Sequence, residues 1–76
     1  MTDVVTAVEF GKPFAAALAV VGGAAAAAYA EAAIGPAAMG AIAEKPAIFG
    51  QAILMTVIPE SLAVFGLVVA LMLMFI

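Results

Sequence analysis

Residues 40–50 read GAIAEKPAIFG. A charged pair, Glu44-Lys45, is followed at once by Pro46. On either side lie long segments with almost no charge. A chain that meets a charged pair and a proline between two apolar runs turns back there. The expected division is an N-terminal segment at 1–12, a first membrane helix at 13–42, a polar loop at 43–46 and a second membrane helix at 47–76.

Composition selects the solvent. The 76 residues are 70% hydrophobic and only 9% charged, too little polar surface for a water-soluble domain of this size. There is no cysteine and no histidine. That excludes disulfide staples, thiolate metal sites and the usual general base. A net charge of −3 leaves no basic surface for nucleic acid. Asp3 and Glu9 precede the first lysine, Lys12, the reverse of a signal peptide's basic start, so the apolar segments are expected to belong to the mature chain.

Crossing a bilayer's hydrocarbon takes about 20 helical residues, and each segment has more. Backbone polar groups in lipid must be satisfied internally, so both segments are expected to be α-helices. A four-residue connection makes them antiparallel neighbours. The expected fold is all-α: a membrane-embedded two-helix hairpin. The first helix contains GGAAAAAYAEAAIGPAAMG, residues 22–40, whose small side chains allow close backbone approach. The second is rich in Leu, Ile, Val, Met and Phe. One thin and one bulky helix form a wedge, and wedges close into a ring with helix 1 inside and helix 2 outside. A single hairpin is also too small to enclose a pathway alone. Orientation is left open, because Lys12 and Lys45 tie the positive-inside comparison.

Two acids lie inside the spans. Glu31 is 13 residues before Glu44, and Glu60 is 15 residues past Lys45. At about 1.5 Å per residue, both are expected about 20 Å from the loop, at one depth near the bilayer centre. A charge there costs about 3 kcal/mol or more, which marks both as functional candidates. Two close carboxyls in a low dielectric do not both ionise; they titrate as a unit. Either both are protonated, or one is a carboxylate neutralised by a bound cation. Glu31 has a plainer alternative, as a polar bridge to Glu60 or to a backbone carbonyl.

Supporting groups surround them. Pro59 has no N–H, so the carbonyl of Met55 loses its helical donor one turn before Glu60; Pro36 does the same to Ala32, beside Glu31. Thr56, four residues before Glu60, shares its face, and Ser61 offers an adjacent hydroxyl. Gln51 is expected near the membrane edge. Tyr29, two residues from Glu31, points elsewhere, toward packing or a neighbour's surface. The pair Gly22-Gly23 has no following lysine and is no phosphate loop.

GAIAEKPAIFG followed by VIPESLAVFGLVVALML, residues 57–73, resembles the proteolipid rotor component of rotary ATP synthases, in its archaeal and vacuolar branch. The resemblance covers about residues 18–76. It implies a homo-oligomeric ring turning past a stator subunit that bears an arginine, with no catalytic residue in this chain and no cofactor. It implies that Glu60 carries the transported ion, with Glu31, Ser61 and Thr56 as further candidate ligands. Glu44, Lys45 and Pro46 would dock the central stalk. The loop would be cytoplasmic, both termini outside, and the membrane the plasma membrane.

Sodium-coupled members commonly carry Gln at the position matching Glu31, a hydroxyl two residues after the carboxylate and a tyrosine five after it. Here the last two are Leu62 and Phe65. The transported ion is therefore expected to be H⁺, with Na⁺ bound at Glu60 and Glu31 as the alternative. Two other classes compete: a pore-forming or structural hairpin of holin type, and one protomer of a small secondary transporter. Two acids at one depth have no purpose in the first, and the second needs a more polar cavity.

Overall fold

The computed structural model describes residues 2–76 and is helical almost throughout. Helix α1 runs Thr2–Glu44, a single 3₁₀ turn covers Pro46–Ile48, α2 runs Phe49–Val57 and α3 runs Glu60–Phe75. The 3₁₀ turn, α2 and α3 make one arm that packs antiparallel along α1, almost all of it through α3 and α2. The result is a rod with principal extents of 63 × 17 × 8 Å. Both arms are long and apolar enough to cross a membrane, and neither is buried inside the protein, as the core helix of a soluble domain would be.

The polar connection is shorter than the expected 43–46. Residues 43 and 44 remain in α1, and Lys45 alone is non-helical, with φ −142° and ψ 85°. Its N–H still bonds the carbonyl of Ala41 at 2.9 Å, so α1 is hydrogen-bonded to its last turn. Pro46 then takes the first position of the 3₁₀ turn, where a missing N–H costs nothing. The N-terminal side also differs. The helix begins at Thr2 and not near Pro13: residues 2–12 contain no proline, the single Gly11 is carried within the helix, and Asp3 complements the helix N-terminus. Of the segment 1–12, residue 1 lies outside the described residues.

Prolines act differently on the two arms. α1 continues through Pro13 and Pro36 without interruption. The second arm is interrupted at Ile58-Pro59, where Ser61 N–H bonds the Ile58 carbonyl at 3.1 Å and Leu62 N–H bonds that of Pro59 at 3.0 Å. Both bonds span three residues, so the arm tightens for one turn and resumes as α3. All angles there stay in the right-handed helical region, which makes this a kink and not a loop.

The arms meet through small residues. Among the described residues, Ala16, Ala27, Ala38, Ala52 and Ala70 are buried, together with Pro59, and no bulky side chain is fully enclosed. Ala16, Ala27 and Ala38 are eleven residues apart, three turns each, so they stack along one line of α1. Gly23 and Gly66 mark the closest approach. A Cβ on Gly23 would press into the backbone carbonyl of Leu62, and one on Gly66 into that of Ala19. Close backbone packing of this kind supplies the van der Waals contact that holds helices together in lipid, where water drives nothing. The large side chains, among them Phe14, Leu18, Leu54 and Phe65, point outward, and this hairpin offers them no core.

Candidate functional site on the hairpin flank

Contact at Gly23 fixes the register of the two arms. It lies level with Leu62 and Ala63, while Gly66 lies level with Ala19. Glu60 is therefore level with about residue 25 or 26 of α1. Glu31 lies some five or six residues nearer the loop, a stagger of about 8 Å. This corrects the expected common depth. A count along the sequence treats both arms as ideal α-helices. Glu60 is two residues farther from the connection than Glu31, about 3 Å, and the 3₁₀ turn at Pro46–Ile48 and the tightened turn at Pro59, which rise faster, carry it about 3 Å deeper again.

Counting about 100° per residue from each contact stripe places the functional side chains around the rod. Pro59 is buried against α1 and Glu60, the next residue, is exposed. Glu60 thus projects about a right angle from the contact line, on one flank of the hairpin. Glu31, half-buried, leans to the same flank from α1. Thr56 lies between them, also half-buried. On the opposite flank an apolar groove of about 440 Å³ runs toward the loop, lined by Ala33, Ile34, Ala37, Gln51, Ala52 and Met55 among others. Met55, whose carbonyl lacks a donor because of Pro59, lies beside that groove. Pro36 and Ala32 are exposed on α1.

Hydroxyl protons near Glu60 are already engaged. Thr56 Oγ1 donates to the Ile53 carbonyl at 2.7 Å, and Ser61 Oγ donates to the Ile58 carbonyl at 2.8 Å. Each hydroxyl keeps lone pairs but has no proton left for a carboxylate. Glu31 Oε1 is buried without a hydrogen-bond partner in the chain. At the loop, Glu44, Lys45 and Pro46 are all exposed. Residue type alone singles out every polar group here but not Gly23 and Gly66, which set the register. Their signal is that each is small and that their numbers sum to a constant with those of the residues opposite, a relation that needs the register first.

Residues 14–73 match the family model that describes the C subunit of ATP synthase. The chain belongs to the ATP synthase C-subunit family. No curated protein and no solved structure gives a significant match. Members of this family are integral, non-catalytic membrane subunits, and membership implies assembly with other copies into the c-ring of an ATP synthase. The fold agrees with it: two long apolar helices in a hairpin, whose thin interface leaves its bulky side chains for lipid and neighbouring copies. The match takes in Glu31, the connection and Glu60, and leaves residues 1–13 and 74–76 outside.

Proposed function

We propose that this chain is the ion-carrying rotor subunit of an archaeal or vacuolar-type rotary ATP synthase, and that Glu60 carries H⁺. The observation that supports this most is the placement of Glu60. It is an exposed carboxyl deep in an apolar arm, immediately after the only interruption of that arm. An uncompensated carboxylate there is costly, so the side chain is stable in lipid only when neutral. It becomes ionic only where an opposite charge receives it, the role of an arginine on the stator.

The cycle follows from that difference. Glu60 releases its proton beside the stator arginine, where the carboxylate is paired. It takes up a proton from the other side, becomes neutral and re-enters lipid as the ring turns. A membrane potential contributes about 2.3 kcal/mol per charge per 100 mV to the direction. Pro59 fixes the side chain's bearing, because a kink at the preceding residue orients α3 relative to α1. The small-residue helix α1 lines the inside of the ring, and α3 with its Leu, Val, Met and Phe side chains lies outside. The exposed Glu44, Lys45 and Pro46 dock the central stalk on the cytoplasmic side of the plasma membrane, with the termini outside.

H⁺ is favoured over Na⁺ by the stagger of about 8 Å, roughly one and a half turns, between Glu31 and Glu60, and by the apolar Leu62 and Phe65 two and five residues after the carboxyl. Together these leave no compact cage of oxygens around one cation within a hairpin. The test is Glu60→Gln in the assembled enzyme, with ring formation checked by native mass. The expected result is an intact ring with ion-coupled ATP synthesis abolished; coupling retained at parental rates would sink the assignment.

A further inference from the structure

Two polar groups of α1 are left without partners by the hairpin. Tyr29 is 85% exposed, more than any other large apolar or aromatic side chain described on its helix, although it lies well inside the apolar span. A phenol facing hydrocarbon keeps an unmade hydrogen bond, and buried tyrosines ordinarily find an acceptor. Glu31 has one carboxyl oxygen walled in by the hairpin with nothing to bond, and the rest of the residue is half-open. Thr56 does not serve Glu31 as a donor, because its proton goes to Ile53.

Their placement is complementary. Residues two apart on a helix differ by about 200°, so Tyr29 and Glu31 cannot meet in one chain. The α1 contact stripe at this height is Ala27, Ala30 and Ile34, and the two side chains lie on either side of it. Glu31 leans to the carboxylate flank. Tyr29 leans to the flank that carries the apolar groove and away from α3. In height they differ by only two residues, about 3 Å. A ring of identical copies is built from head-to-tail contacts, each copy presenting one flank to the opposite flank of the next. Tyr29 of one copy then faces Glu31 of its neighbour at nearly the same depth.

We propose that the Tyr29 hydroxyl donates a hydrogen bond to the Glu31 carboxyl of the adjacent copy, so that Glu31 is completed only by ring assembly. The bond satisfies both orphaned groups in one step. It makes Glu31 a positioning residue of the copy–copy interface, held about 8 Å from the ion carrier by the stagger of the arms. The proposal rests on the ring that family membership implies.

The parental chain has no cysteine, which makes a thiol test direct. Tyr29→Cys and Glu31→Cys chains are co-expressed so that both enter the same rings, then treated with a short bifunctional thiol reagent. Covalent dimers are expected from mixed rings and not from rings of either variant alone. A chain bearing both substitutions gives a ladder of linked copies. Mixed rings of normal native mass that yield no dimers overturn the proposal, as do equal dimer yields from a single variant.

A second measurement covers perturbed assembly. Tyr29→Phe is expected to lower the temperature at which the detergent-solubilised ring dissociates, and to have no such effect in a Glu31→Ala background. The same drop in both backgrounds overturns the bond. If the parental protein itself runs as a free hairpin, the ring fails first, an outcome separate from either of these.

Discussion

At the scale of the residue, Glu60 and Glu31 are two carboxyls with different surroundings. Glu60 projects from the flank of the second arm, while Glu31 is half inside the hairpin with one oxygen unpartnered. Glu31→Gln keeps the shape and an acceptor, so it is expected to preserve coupled ATP synthesis and to change its ion affinity or pH dependence. Synthesis measured across pH checks this, and a profile identical to the parent's would reduce Glu31 to packing. Ser61→Ala removes a hydroxyl whose proton goes to its own helix and whose side chain points away from α1. Its expected effect on transport is small, about 1 kcal/mol or less on stability. Ion uptake by reconstituted enzyme checks it; a loss comparable to that of Glu60→Gln would make Ser61 a ligand.

At the scale of the element, the hairpin depends on where its two helices are allowed to touch. Gly23→Ala or Gly66→Ala places a methyl group into the opposing backbone carbonyl, with no flexible side chain to yield. Overpacking of this kind typically costs about 1–3 kcal/mol, and the ring's dissociation temperature in detergent should fall for each. Pro59→Ala restores an N–H to the second arm and is expected to straighten it, rotating Glu60 from its flank. Reduced ion uptake with assembly intact is the predicted result; unchanged uptake would remove the kink from the account. Much of this scale was legible in the sequence. The charged pair before Pro46 marked the reversal, and the Ala/Gly content of residues 22–40 marked the thin interface. The depth of Glu60 relative to Glu31 was not legible. It depends in part on the rise of two tightened turns, and the sequence registers those only as prolines whose effects differ: Pro36 leaves its helix whole and Pro59 does not.

At the scale of the whole molecule, one hairpin is incomplete. Its core is five alanines and Pro59, its large side chains face outward, and its two flanks differ: carboxyls on one, an apolar groove on the other. Such a body gains most of its contacts from copies of itself and from lipid. The exposed Glu44-Lys45-Pro46 tip carries the charged groups of that end of the rod. Glu44→Ala with Lys45→Ala is expected to weaken stalk attachment, seen as ATP hydrolysis uncoupled from ion pumping, without altering the reactivity of Glu60. Intact coupling in the double variant would take the tip out of that role. Neither the two-flank arrangement nor the orphaned Glu31 oxygen could be read from residue order, since both require the arms in register.

As the carrier, Glu60 is a carboxyl which becomes neutral by taking up a proton in an apolar setting. Carbodiimides modify such protonated carboxyls, so the most direct measurement is the rate of Glu60 modification in the purified ring across pH, with and without millimolar Na⁺, mapped by peptide mass. Modification at Glu60 is expected to slow as pH rises and to be indifferent to Na⁺. Modification confined to Glu31, or absent from both, would contradict Glu60 as the carrier, and protection by Na⁺ would contradict the choice of H⁺.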